Sequence, residues 1–450
     1  MTPESTLPEQ QILPPLTVET LVNGGSGLAR YEGCVVFVPH TAAGDLVRAG
    51  VVRRKKKYLE AQLVEVLQPG PGRRVPPCPV AGECGGCQWQ HLSYNEQLAW
   101  KEKLFTETLS HQLLSDRCAF KPIIPSSNEW YYRSRVQIKC YNCAEGFVTG
   151  YYRSRSRYVV NIDSCPIMDH RLNNLLAELK SFFNGSVFAD QIPQIDLSID
   201  DNGKSAAVIH YLGPKRKRLI ERLSDAGIDA DILVQFGTKK SLQSVSGDGI
   251  LAIRVDIPQL SLNYRVGSFA QINLEQNKAL VDILTSIFPW NKTHRVLELY
   301  CGMGNLSFPI ARRVRYLHGI EESELSIAMA RRNIMTTGIT NLEFIAASAE
   351  NVLSCQIKEG QYDVVILDPP RVGAYSVVKW LARVGIPHIF YVSCDPQTLA
   401  RDLQLLVHAD YRIVASQPLD MFPQTYHCES ITYLQKNTVS IAGAGSPAWC

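Results

Sequence analysis

The run Val296-Leu297-Glu298-Leu299-Tyr300-Cys301-Gly302-Met303-Gly304-Asn305 decides how the C-terminal part of this chain folds. It reads as a buried strand entering a glycine turn ahead of a helix, the place where a doubly wound sheet receives its ligand. Glycines there let the backbone approach the ligand closely. A dinucleotide site is the rival reading, but Ser307 stands where G-x-G-x-x-G has its third glycine, which weakens a pyrophosphate site. Glu321 ends the next apolar strand, where a carboxylate can accept both hydroxyls of a ribose, a spacing that suits adenosylmethionine.

Downstream, apolar strands continue to alternate with helical stretches, the pattern of a largely parallel sheet. The strand Val364 to Leu367 ends in Asp368-Pro369-Pro370-Arg371, and the strand Ile389 to Val392 ends in Ser393-Cys394-Asp395-Pro396. Both turns put reactive side chains at the carboxyl edge of the sheet. A lone cysteine is more often a small buried hydrophobe, yet Cys394 at a strand end beside a cofactor site is placed as a nucleophile. The stretch Asp420-Met421-Phe422-Pro423-Gln424-Thr425-Tyr426-His427-Cys428-Glu429 adds acid–base candidates, Glu429 as general base with His427 as the alternative.

Working upstream, residues 125 to 265 read as a mixed α+β region, with strands such as Arg135 to Lys139 and Ala206 to His210. The stretch Tyr94 to His111 reads as an amphipathic helix carrying Leu98, Phe105 and Leu109 on one face, with Ser93 as its cap. Leu16 to Gln68 reads as a small all-β module, followed by a proline and glycine hinge. The expected division is a tail at 1–15, the β module at 16–70, a central domain at 71–265 whose helix at 94–115 packs on the catalytic domain, the catalytic domain at 266–438 and a tail at 439–450.

The 450 residues, 45% hydrophobic and 20% charged, suffice for several cores. No apolar run approaches the roughly 20 residues needed to span a bilayer, and the polar start carries no export signal, so a cytoplasmic location is expected. The net charge of +3 is small, but basic residues cluster at Arg53 to Lys57, at Lys215 to Arg218, and at Arg153, Arg155 and Arg157.

Thirteen cysteines, an odd number irregularly spaced, do not make a disulfide framework. Cys78, Cys84 and Cys87 form C-x5-C-x2-C around Gly85 and Gly86, and Cys165, followed by Pro166, is the natural fourth ligand. Four thiolates suit zinc or an iron-sulfur cluster. The spacing lacks the paired C-x2-C of many zinc ribbons, and the 4Fe-4S cluster is the favoured reading.

On these motifs the chain closely resembles the bacterial 23S ribosomal RNA uracil-5-methyltransferase family, which also contains relatives acting on transfer RNA. The resemblance runs from about Leu16 to Gln435. It implies a multidomain fold: an N-terminal OB-like β-barrel of the TRAM type, a central α+β domain, and a C-terminal α/β Rossmann-like class I methyltransferase domain. It further implies that Cys78, Cys84, Cys87 and Cys165 hold a 4Fe-4S cluster, and that Gln271, Tyr300, Asn305, Glu321 and Asp368 contact S-adenosylmethionine. Ser348 stands where the family often has Asp or Asn facing the adenine, and Cys428 where it usually has an apolar residue. Cys394 would be the nucleophile and Glu429 the base for methylation of uracil C5.

An RNA partner, 23S rRNA first and tRNA as the alternative, is therefore expected, with no membrane and no obligate protein partner. Trp130, Tyr131, Tyr132, Tyr151 and Tyr152, interleaved with Arg133, Arg135 and Arg153, are candidates to stack bases and hold phosphates. Two rivals are cytosine C5 methylation, which usually employs two cysteines, and a non-catalytic RNA-binding or assembly module.

Overall fold

The computed structural model describes residues 11–113, 119–237, 242–256, 258–355, 357 and 360–437. The two expected tails lie mostly outside these residues, but the stretch 11–15 belongs to the β module. Leu13 is buried, and the Leu13 and Val51 amides donate to the carbonyls of Ala49 and Gln11. The β module comprises β1 (Leu16–Thr17), β2 (Thr20–Leu21), β3 (Gly27–Tyr31), β4 (Cys34–Val38), β5 (Leu46–Arg54) and β6 (Tyr58–Gln68) in one sheet, ordered β1-β5-β6-β4-β3-β2. Alternation along β4 buries Val36 and Val38 in a core with Val47, Ala49 and Leu59.

After the long helix α1 (Tyr94–Leu113) comes a seven-stranded sheet. Its strands are β7 (Arg135–Cys143), β8 (Gly146–Tyr152), β9 (Val159–Asn161), β10 (Gln194–Ile199), β11 (Ser205–Tyr211), β12 (Asp231–Phe236) and β13 (Leu242–Ser246), ordered β13-β12-β11-β10-β7-β8-β9. Helices α2 (His170–Phe183) and α3 (Arg216–Ser224) cover one face, packing Leu172, Leu176 and Leu219 on Ile138, Ile195 and Ile209. A hairpin, β14 (Ile250–Val255) and β15 (Leu260–Arg265), follows.

The C-terminal domain opens with α4 (Leu274–Ser286) and then alternates β16 (Arg295–Leu299), α5 (Ser307–Ala311), β17 (Tyr316–Glu321), α6 (Glu324–Thr337), β18 (Leu342–Ala346), α7 (Ala349–Cys355), β19 (Val364–Leu367), α8 (Tyr375–Val384), β20 (His388–Ser393) and α9 (Pro396–His408). It closes with the antiparallel strands β21 (Tyr411–Leu419) and β22 (Glu429–Lys436). The order β18-β17-β16-β19-β20-β22-β21 is parallel through β20. Its direction of winding reverses between β16 and β19, so a ligand crevice opens beyond their carboxyl ends. No helix among the described residues is long and apolar enough to cross a membrane.

Two packing relationships cross the expected domain boundaries. Helix α1 sets Phe105, Leu109 and Leu113 into one core with Leu399, Leu403 and Leu406 of α9. Leu98 is only half-buried, and the fully covered positions on that helix include Gln97 and Lys101. The hairpin shares a core with Leu280 and Val296 on one side and Ala206 and Val208 on the other. A boundary at residue 265 therefore cuts through continuous apolar packing, because the hairpin joins the two domains.

Candidate active site

At the crevice, Tyr300 (φ 65°), Gly302 (φ 57°) and Gly304 (φ 94°) all take left-handed backbone. A side chain on Gly304 would collide with the Phe308 ring, so glycine there is a packing requirement as well as a conformational one. An aromatic residue at positive φ costs roughly 1–3 kcal/mol and persists only where its surroundings hold it. Here the Tyr300 hydroxyl donates to Glu350 at 3.3 Å.

Glu321, at the end of β17, accepts the Gly302 amide at 3.1 Å and the Ser323 amide at 2.8 Å. Asp368 follows β19, with its amide bonded to the Leu299 carbonyl. Burial, reinforced by the Glu321 charge, pushes the Asp368 carboxyl up to about 7. Glu298, fully covered inside β16 and hydrogen-bonded by Ser307 at 2.6 Å, is pushed up to about 8 chiefly by burial. Three acids thus crowd one strand edge, an arrangement that attracts a cationic ligand.

The other expected cofactor residues surround this edge. Asn305 exchanges a reciprocal pair of amide hydrogen bonds with Asn277 of α4, at 2.7 and 2.8 Å. Gln271 is buried in the segment entering α4, just ahead of its cap Asn273. Ser348 accepts the Asn351 amide at 3.3 Å, so its oxygen caps the first turn of α7.

The expected nucleophile and base stand at the ends of β20 and β22, the next two strands after β19. Strands β20 and β22 end their pairing at Ser393 and Ser430; one step further along the ladder stand Cys394 and Glu429. Asp395 caps α9 by accepting the Gln397 and Thr398 amides at 2.9 and 3.0 Å, which holds Cys394 in a tight strand-to-helix turn. Burial, then the charge of Glu429, pushes the Cys394 thiol up to about 12, with Arg371 opposing. Glu429 is 4% exposed. Burial and the Asp368 charge hold its carboxyl well above the usual range, again against Arg371. The three groups therefore share one electrostatic environment, with Arg371 as its cation. His427 is driven down to about 4 by burial and by Arg371 and Lys101. It faces Tyr426 with ring centroids 4.2 Å apart.

Cys78, Cys84, Cys87 and Cys165 are free thiols that line one cavity together with Arg133 and Tyr151. Burial pushes Cys87 up to about 12, with further contributions from the charges of Cys165 and Cys84. The four cysteines come to this one cavity from two distant segments. The Tyr151 hydroxyl faces Cys165 and has no other hydrogen-bond partner, and Arg133 Nε is buried without one. Among the described residues no group of three or more His, Cys, Asp or Glu is placed to hold a metal ion.

The aromatic and basic set is only partly a surface. Tyr132 is buried and donates to the Pro423 carbonyl at 3.0 Å. Tyr151 and Arg133 turn toward the cysteines. Trp130 lies under Arg74, and Tyr131 stacks on His170 at 3.6 Å. Tyr152 and Arg153 remain outward, on a cavity of about 640 Å³ shared with Gly85, Gly86, Arg155 and Arg157. Sequence reasoning did not single out Gln97, Lys101, Arg371, Glu298 or Gln424. Their local signal is no more than a polar residue in a helix, strand or loop that turns inward.

The sequence profile described as tRNA (uracil-5-)-methyltransferase matches residues 93–437, and that of the TRAM domain matches residues 15–64. The chain is 33% identical over 430 residues to a 23S rRNA (uracil(1939)-C(5))-methyltransferase of Alkalilimnicola ehrlichii, covering 94% of this chain and 96% of the relative. It is 34% identical to an uncharacterized RNA methyltransferase of Thermosynechococcus vestitus, covering 93% and 97%. Among solved structures, the tRNA (uracil-54, C5)-methyltransferase of Pyrococcus abyssi, in complex with S-adenosyl-L-homocysteine, superposes with a TM-score of 0.72. It is 26% identical, covering 93% of this chain and all of that one.

Proposed function

This chain belongs to the tRNA (uracil-5-)-methyltransferase family, and from that premise we propose that it methylates C5 of a uridine in 23S rRNA, with Cys394 as nucleophile and Glu429 as base. The observation that carries the residue assignment is the juxtaposition of Cys394 and Glu429 at the end of the β20–β22 ladder, beside the acid-lined crevice. Substrate class follows the relatives, several of which carry the 23S rRNA name. The solved tRNA enzyme, at 26% identity, keeps tRNA as the second reading. A ribosomal RNA substrate places the work in the cytoplasm, and no obligate protein partner is invoked.

Uracil C5 is a weak nucleophile. Cys394, its thiol proton lost to solvent, bonds through the thiolate sulfur to C6 and shifts the ring's C5=C6 electrons onto O4, giving an enolate whose C5 can take a methyl group. Adenosylmethionine, when bound, supplies that methyl as an electrophile on sulfur. Glu429 carboxylate then removes the C5 proton, the C5=C6 bond re-forms, and the C6–S bond breaks to return the thiolate. The Arg371 guanidinium, which offsets the neighbouring acids, favours the ionised forms that both steps require.

Gln271, Tyr300, Asn305, Glu321 and Asp368 would hold the cofactor, with Ser348 turned to the adenine through its hydroxyl proton. The glycine cradle and the three acids fit its cationic sulfonium. Cys78, Cys84, Cys87 and Cys165 would hold a 4Fe-4S cluster. Four soft donors lining one cavity fit that group, and the buried Arg133 and Tyr151 donors that face it have no other partner. Methyl transfer moves no net electrons, which favours a structural or RNA-positioning part for such a cluster. The Arg153, Arg155 and Arg157 rim, with Tyr152, would take RNA phosphates and a stacked base.

The test is nucleoside mass spectrometry of 23S rRNA and tRNA from cells with and without the gene. Loss of 5-methyluridine from 23S rRNA supports the proposal. Loss confined to tRNA moves the substrate, and loss from neither overturns the reading.

A further inference from the structure

The loop 420–428, which leads into Glu429, takes its shape from residues outside the C-terminal domain. Gln424 is fully buried and holds left-handed backbone at φ 69° although it is not glycine. All its polar atoms are engaged. Its amide donates to Gln97 Oε1 at 2.8 Å, and its carbonyl accepts the Trp89 amide at 3.0 Å. Its Oε1 accepts from Gln97 at 2.9 Å and from Arg74 at 3.0 Å, and its Nε2 donates to Glu129 at 3.0 Å. The neighbouring carbonyls are held as well, Pro423 by the Tyr132 hydroxyl and Phe422 by Lys101, each at 3.0 Å.

These partners lie in α1 and in the segments just before and after it, and Glu429 lies five residues beyond Gln424. We infer that Gln424 is a positioning residue for Glu429: the clamp of Gln97, Arg74, Glu129 and Trp89 on Gln424 sets the entry of β22 and thereby the carboxyl's approach to C5. Apolar packing alone would leave a left-handed residue in the middle of this loop free to relax. The bonds from α1 and from the segment after Cys87 hold it. The inference rests on Glu429 being the base.

Its signature is kinetic, because the base acts only after thiol addition and methyl transfer. RNA bearing 5-fluorouridine at the target reports those earlier events alone, since its C5 has no proton to lose and the covalent adduct accumulates. Gln424→Leu and the gentler Tyr132→Phe are compared with the unaltered full-length enzyme. For Gln424→Leu, release of methylated RNA is expected to fall by about tenfold to a hundredfold, the scale of a displacement near 1 Å. Tyr132→Phe, which loosens only the adjacent carbonyl, falls less. Adduct formation with the fluorinated RNA and adenosylmethionine affinity stay within about twofold, the scatter expected of untouched steps. Parallel loss of adduct formation and release, or no loss of release in either variant, overturns the inference. Glu429→Gln in the same assay separates the two readings: normal release from that variant removes the base assignment itself, whatever Gln424 does.

Discussion

The Ser430 hydroxyl donates to the main-chain carbonyl of Ser393 at 3.2 Å, with both residues buried. This bond closes the end of the β20–β22 ladder, one step before Cys394 and Glu429. Cys394→Ala is expected to abolish both product and covalent adduct. Glu429→Gln should accumulate methylated RNA bound to protein, seen as a slow-migrating band on a denaturing gel. Free product from Cys394→Ala at more than background would refute the covalent route.

Burial and the Glu429 charge keep the Cys394 thiol protonated in the free enzyme, at a value of about 12. Its thiolate fraction, and hence its alkylation by iodoacetamide, should rise about tenfold per pH unit between about pH 7 and 10. Peptide mass spectrometry reads this at Cys394 separately from the other thiols. A rate already level at neutral pH would mean that the thiol is ionised before RNA arrives.

With its carboxyl raised to about 7, Asp368 is partly protonated in the empty crevice near neutrality. A cationic cofactor favours the carboxylate, so its binding should expel a proton, and affinity should climb from about pH 6 to 8 before levelling. Calorimetry in two buffers of different ionisation enthalpy measures the proton count. The Asp368→Asn variant should release fewer protons, and an unchanged count would assign the titration to another group.

Lys101 and Asp420 form an ion pair at 2.5 Å with both side chains fully covered, and Asp420 Oδ2 has no hydrogen-bond partner. Removing one partner strands a buried charge, which typically costs about 3–5 kcal/mol. Lys101→Met should therefore lower the thermal midpoint markedly, and Lys101→Met combined with Asp420→Leu should recover part of it. A double variant no better than the single would show that the charge is already relieved by water.

What could be read in advance was whatever local pattern dictates. The strand at Arg295 to Leu299, the glycine turn and the acid at Glu321 follow from apolar runs closed by small or charged residues, and they stand where expected. Helix α1 was recognisable as a helix, but not by its buried face. Gln97 and Lys101 are covered because their partners, Gln424 and Asp420, arrive more than 300 positions later. Tyr151 and Arg133 turn toward the cysteines and Tyr132 toward Pro423, partners from distant segments that no local pattern announces. The hairpin at 250–265 reads as central because its strands follow the central ones, and its core is shared with β11 as well as with α4.

The clamp on Gln424 also bears on whether this protein can be divided. Residues 266–438 contain every group assigned to chemistry, yet the side chains that shape the last loop lie between Arg74 and Tyr132. An excised C-terminal fragment would resemble an engine with all its moving parts and no mounting. Gene fission or domain shuffling at the hinge near residue 70 would keep the bonds to Gln424 on one piece but strip Trp89 of its partners Gly25, Leu21 and Ala42. The same events at the boundary before α4 would separate Gln424 and the loop leading to Glu429 from the residues bonded to them.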